Sequence, residues 1–220
     1  VELYYAGSKK LETASGGVTL TGTINGISIL ADATNFTDSI LISDNASTGT
    51  LNAATNNTGL GVDVFSSLTS GDSNTAIGFK ALEDHTTGNN NVAIGKDSLR
   101  TNTTGTGNVS VGVNSLENAT TADDNTAIGN AALLANTTGH SNTIIGSNAA
   151  KTNTEGRNNV AVGYYSMEDN TTGKNNVAVG HDSLKNNTTA DSNTAIGKSA
   201  LEANTTGDQL TAVGALALDS

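Results

Sequence analysis

The chain has 220 residues, of which 10 are Lys or Arg and 21 are Asp or Glu, leaving a formal net charge of −11 and a pI near 4.4. A surface this acidic offers no basic stripe to neutralise phosphates, which argues against nucleic acid as a partner, and no apolar run reaches the roughly eighteen residues of a membrane-spanning helix. Cysteine and proline are both absent, so disulfides and thiolate metal sites are excluded and every backbone N–H is free to pair.

Residues 1–38 read as a module of short strands: Val1 to Tyr5, Lys10 to Thr13, Val18 to Ile24, and Ile27 to Leu30. Asn25-Gly26 lies between two apolar runs, which is a strong hairpin signal. Residues 39–73 hold a degenerate form of the frame that follows. Ile40-Leu41-Ile42-Ser43 fills a strand slot with Ser43 in place of glycine, Gly61 comes eighteen residues later, Phe65 takes a leucine slot, and Thr69-Ser70-Gly71 replaces Thr-Thr-Gly.

Residues 74–220 repeat with a period of seventeen. Gly78, Gly95, Gly112, Gly129, Gly146, Gly163, Gly180, Gly197 and Gly214 follow one another at that spacing without insertion or deletion. Leu, Ile, Val and Phe are scarce enough to approach the threshold of about 20% below which a chain is expected to be disordered. Disorder, however, gives no reason to keep an apolar residue in the same slots through nine periods. A fixed short period with one small apolar set per unit is the pattern of stacked coils, each burying its face on the next. The expected fold is therefore all-β, a parallel β-roll or β-solenoid in which short helical turns are admitted.

Within a coil, Asn91 to Ile94 reads as a short strand with Val92 and Ile94 on one face and Ala93 on the other, and both faces are expected to be buried. The small middle residue (Ala76, Ala93, Ser110, Ala127) points to the close approach of another backbone, and the glycine after it permits a bend. Lys96 to Arg100 fits either a helical turn or a second short strand, and five residues are too few for periodicity to separate them; the helical turn is the expectation carried forward. Leu82, Leu99, Leu116, Leu133, Met167, Leu184 and Leu201, with Ala150 and Leu218, form a column expected to fill the interior. Asn74, Asn91, Asn108 and Asn125, continued through Asn193, are expected to stack as an amide ladder that Leu210 breaks.

Asn-Thr-Thr-Gly supplies turn chemistry, with a glycine able to adopt the left-handed conformation. Ala122 and Ala190 replace that glycine, so either the slot needs no positive φ or those two coils turn differently. They lie four coils apart, and the Thr/Val alternation from Thr75 to Thr211 also fits duplication of a four-coil block.

The residues that chemistry would need do not line up. Ser192 to Ser199 imitates the end of a phosphate-binding loop, but its first glycine is missing. His85, His140 and His181 occupy three different slots, and the aspartates wander between slots, so neither a zinc site nor a calcium-binding roll is expected. A glycosidase would need paired carboxylates in a groove beside aromatic platforms. The one aromatic pair in the regular coils is Tyr164-Tyr165, the best candidate for a surface contact. The sequons at Asn102, Asn136, Asn170 and Asn204 follow from the turn consensus. No catalytic, cofactor-binding or metal residue is assigned.

Asn125-Thr126-Ala127-Ile128-Gly129, followed by Ala132-Leu133 and Asn136-Thr137-Thr138-Gly139, resembles the repeat arrays of bacteriophage tail-fibre and virion structural proteins, especially those of marine and cyanobacterial phages. Leu3 to Thr13 and Gly17 to Thr23 look like the short β-modules that precede such arrays. Val92-Ala93-Ile94-Gly95 is also similar to the head repeats of trimeric autotransporter adhesins, which form a parallel β-roll in a tight trimer; those repeats are shorter and lack the Asn-Thr-Thr-Gly turn. The resemblance implies a homotrimeric fibre segment, extracellular or exposed on the virion. Both ends of the sequence read as internal to a longer protein. Its implied partners are other fibre or baseplate proteins and a host-surface receptor of glycan or outer-membrane type. Two other readings stay open: a bacterial surface adhesin that binds matrix or glycans, and a polysaccharide-degrading tailspike.

Overall fold

The computed structural model describes residues 51–219 throughout, together with the backbone of six strands between residues 2 and 43 and the side chains of residues 40–42. Strands β1 (Glu2–Tyr5), β2 (Ser8–Ala14) and β3 (Gly17–Leu20) form an antiparallel three-stranded sheet. Asn25-Gly26 lies outside the described residues, but the strands on either side of it, β4 (Thr23–Ile24) and β5 (Ile27–Ala33), pair antiparallel through Ile24 and Ile27. Strand β6 (Phe36–Ser43) pairs antiparallel with β5 on one edge and parallel with β8 (Thr58–Leu60) on the other. The sequence boundary at residues 38 and 39 thus falls within one strand that closes the hairpin module and carries the first level of the solenoid.

From β8 onward the chain contributes one three-residue strand per coil to a single parallel sheet: β9 (Thr75–Ile77), β10 (Val92–Ile94), β11 (Val109–Val111), β12 (Thr126–Ile128), β13 (Thr143–Ile145), β14 (Val160–Val162), β15 (Val177–Val179), β16 (Thr194–Ile196) and β17 (Thr211–Val213). The short β7 (Ala54–Thr55) pairs with β6 beside this path. Each register step joins residues seventeen apart, as in Val92 to Val109, Ala93 to Ser110 and Ile94 to Val111. The fold is a parallel β-solenoid of seventeen-residue coils, and the described residues contain no helix.

The glycine after each strand makes the corner. Gly129 has φ 141°, and a β-carbon there would stand 2.5 Å from the carbonyl oxygen of Gly146 in the next coil. Both the conformation and the space belong to glycine.

The helical turn expected after this corner does not form. Asp97 and Leu99 have φ of 55° and 49°, in the left-handed region that a right-handed helix cannot include. Two hydrogen-bonded turns stand there instead, closed by Ser98 N to Gly95 O and Asn102 N to Leu99 O. Between them, Leu99 N donates to Ser115 O of the following coil, so backbone groups that a helix would satisfy internally are satisfied by the stack.

This geometry aims the leucine column inward, except at Leu218 in the last coil, which is exposed. Phe65, Leu82, Leu99, Leu116, Leu133, Met167 and Leu184 are fully buried in one continuous core with Ala76, Ala93 and Ala127 from the strands. The interior is thin: Ser115 Oγ reaches across it to Ala127 O at 3.0 Å, which is why the facing positions from Ala76 to Ala212 are alanine or serine, Ile144 apart.

The asparagine column is a buried ladder. Asn91 N donates to Asn74 Oδ1 at 2.9 Å, and Asn91 Nδ2 donates to Gly105 O at 2.9 Å. The same links recur through Asn108 and Asn125 to Asn193. At zero to 1% exposure these amides are interior scaffold, and losing one leaves buried donors and acceptors unpaired at about 1–3 kcal/mol each. Leu210 ends the column: its N–H still donates to Asn193 Oδ1, while its side chain packs on the core.

Candidate functional site

With the alanines turned inward, the first and third residues of every strand point out of the solenoid. The expectation of two buried faces is corrected here to one buried face within the chain, because among the described residues no second layer covers the sheet. Ile77, Ile94, Ile128, Ile145 and Ile196 are 36–41% exposed, and Val111, Val162 and Val179 are half-buried in the same column. Beside them runs a column of Thr75, Val92, Val109, Thr126, Thr143, Val160, Val177 and Thr194. Together they make an uncharged stripe of β-branched side chains along the length of the solenoid. Strand propensity alone accounts for the residue types; the structure adds that they face outward.

At the corner flanking the stripe stand Phe79, Val113 and Tyr164, 42%, 43% and 43% exposed. Tyr164 is the most elaborated of the three. Its ring lies 3.9 Å from that of Tyr165, centroid to centroid and tilted by 57°, and 5.2 Å from the ring of His181 one coil on. Lys185 Nζ sits 5.0 Å over the Tyr165 ring, 3.5 Å from Asp182 Oδ1 and 3.9 Å from Glu168 Oε2, while Asp182 Oδ2 pairs with His181 Nδ1 at 2.5 Å. The hydrogen bond with Tyr165, followed by loss of solvation, raises the Tyr164 phenol above its ordinary pKa. Burial likewise pushes the Glu168 carboxyl up. Two adjacent coils thus bring together the tyrosines singled out from the sequence and three charged side chains that were not. The signal for two of them was present: Glu168 and Lys185 share one slot of the repeat and alternate in sign.

That slot is a charge ladder. Glu83, Arg100 and Glu117, then Lys151, Glu168, Lys185 and Glu202, succeed one another with only Leu134 between the two runs. Arg100 Nη2 lies 2.8 Å from Glu117 Oε1.

The other candidates separate. His85 is buried, with Nε2 2.8 Å from Gly88 O and Nδ1 3.2 Å from Asn102 O. His140 and His181 are exposed. Among the described residues no group of three or more His, Cys, Asp or Glu side chains is placed to hold a metal ion, and no helix is long and apolar enough to cross a membrane. The Ser192 to Ser199 segment is a strand and a corner with Lys198 exposed, and lacks the helix a phosphate-binding loop feeds.

The asparagines of Asn-Thr-Thr-Gly form a second interior ladder that sequence reasoning took for turn chemistry. Asn153 Nδ2 donates to Asn136 Oδ1 at 3.0 Å and Asn170 Nδ2 to Asn153 Oδ1 at 2.7 Å. The sequon residues Asn102, Asn136 and Asn170 are therefore buried. The glycine of this motif has no positive φ; the left-handed residue comes two places later, at Asn90, Asp124 or Asn158. Ala122 and Ala190 thus fit their slots without backbone strain.

No protein-family model, curated protein or solved structure gives a significant match to this chain.

Proposed function

We propose that the chain is a stiff segment of a homotrimeric bacteriophage tail fibre, a non-enzymatic shaft or head that positions, or contributes to, binding of a host-surface receptor. The resemblance carried by Asn125 to Gly139 supports the class of protein. The outward Val/Ile stripe is the observation that supports assembly from like chains. Its side chains recur at every coil, and the surface that presents apolar side chains at the same spacing and in the same order is a second copy of the stripe. It also carries no charge that an apolar contact would strand.

Ten coils at about 4.8 Å, each three residues wide at about 3.3 Å per residue, give a stripe of roughly 480 Å². That is more than half of the about 800 Å² per partner of a standard interface, and the corner side chains widen it. Covering the stripe removes from water an apolar surface as large as those that mark binding sites on soluble proteins. The role is mechanical: every coil is tied to the next by backbone bonds, amide ladders and a leucine file, which suits a spacer that transmits orientation.

Immunogold electron microscopy tests the assignment. Antibodies raised against residues 51–219 are expected to decorate the fibres of purified phage particles. Labelling of the envelope of uninfected bacteria, with bare particles, would replace the fibre by the adhesin.

A further inference from the structure

The corner at Tyr164 is, among the described residues, the one in which both positions after the coil glycine are aromatic. The second position is left-handed in each coil, at Lys80, Ala131 and Leu216 as well as at Asp97 and Asn114, so the coil imposes the φ of 56° on Tyr165 whatever the residue type. The Tyr165 ring braces Tyr164 from the side and holds Lys185. The result is an exposed ring fixed between a second tyrosine and a histidine, rimmed by two carboxylates and an ammonium group. Asp182 Oδ1 is buried, accepts no hydrogen bond and meets Lys185 Nζ at ion-pair distance, so Asp182 positions the ammonium group.

We propose that Tyr164 is the stacking platform of a carbohydrate subsite that takes one pyranose ring, with Lys185 and Glu168 hydrogen-bonding its hydroxyls. A pyranose has an apolar face of C–H groups and a polar rim. An amphipathic aromatic ring with a few oriented polar groups beside it complements both at once. Carboxylate and ammonium groups already held in place form charge-assisted hydrogen bonds without first being ordered. Phe79 provides the internal contrast: it is equally exposed and has Lys80 over its ring at 5.5 Å, but no second aromatic ring is recorded against it. The inference rests on the fibre reading only for the surface that presents the sugar, since the subsite itself lies on two coils of one chain.

Amide-resolved NMR titration of the purified chain with methyl β-glucopyranoside, methyl β-galactopyranoside and N-acetylglucosamine tests it. At least one probe is expected to give saturable shifts centred on Tyr164, Tyr165, His181 and Asp182. Tyr164→Ala should weaken binding roughly tenfold, Tyr164→Phe should retain it, and Phe79→Ala should leave it unchanged. Because the Tyr164 ring is on the surface, the alanine variant should keep the wild-type spectrum elsewhere. Absence of saturable shifts with all three sugars, or shifts that persist in Tyr164→Ala, would overturn the subsite whatever the assembly state. A monomeric chain that still binds through Tyr164 would overturn the trimer and leave the subsite standing.

Discussion

Arg100 and Glu117 are seventeen residues apart in sequence, and Arg100 Nη2 meets Glu117 Oε1 at 2.8 Å on successive coils of the solenoid. The pair belongs to a file whose charges alternate from coil to coil. In a parallel stack every side chain lies over its own repeat equivalent, so a perfectly uniform repeat would place like charges about 4.8 Å apart. Variation in this slot is the remedy.

Reversing one sign should therefore cost more than removing it. Lys185→Glu sets three glutamates in line with Glu168 and Glu202 and is expected to destabilise the solenoid by about 1 kcal/mol, more than Lys185→Ala. The double change Lys185→Glu with Glu202→Lys, which leaves one like-charge contact in place of two, should recover part of the loss. Urea denaturation of the four proteins at low and at high salt checks this, and salt should shrink the differences.

His85 occupies a slot that Asn102, Asn136 and Asn153 fill in other coils. Burial, the largest influence, lowers its pKa below the ordinary histidine value, although its carbonyl partners Gly88 and Asn102 pull the other way. The unfolded chain thus binds a proton more readily than the folded one. Stability is retained above the unfolded value of about 6.5 and falls as the pH drops below it toward the folded pKa. Thermal melts between pH 7 and pH 5 should show this loss, and His85→Asn, which restores the ladder residue, should flatten that part of the profile.

Gly129 and Gly214 have the same role and different neighbours. A β-carbon at Gly129 meets the Gly146 carbonyl and Ser147 N, at 2.5 and 3.0 Å, whereas at Gly214 nothing lies within 4 Å. Both have positive φ, 141° and 128°. Gly214→Ala should cost about 1 kcal/mol of backbone strain, and Gly129→Ala clearly more, since the coils must also move apart. Hydrogen exchange should show the second variant opening around β12 and β13.

The period, the strand slots, the leucine file and the first amide ladder were legible in the sequence because parallel stacking turns a sequence period directly into a spatial column. What stayed hidden depends on which way a side chain points. Val92 and Ile94 have the composition of a buried strand, yet the pleat that turns Ala93 inward turns them outward, and among the described residues nothing covers that face. The helical expectation failed at Asp97 and Leu99 because a leucine at positive φ has no local signal; the coil imposes it through Leu99 N donating to Ser115 O. Asn136 and Asn153 read as turn residues because Asn-Thr-Thr-Gly is turn-like in isolation. Their slot faces inward, and repetition makes it a ladder.

The stripe from Ile77 to Ile196 awaits a partner in the proposed assembly, and the molar mass of the chain in solution bears on that point directly. Multi-angle light scattering on residues 1–220 is expected to give three times the 22.0 kDa chain mass, falling to a single chain mass when Ile128→Glu and Ile145→Glu place charges in the stripe. A wild-type chain that runs as a monomer at all concentrations, or a trimer that both glutamates leave intact, would contradict assembly through this face.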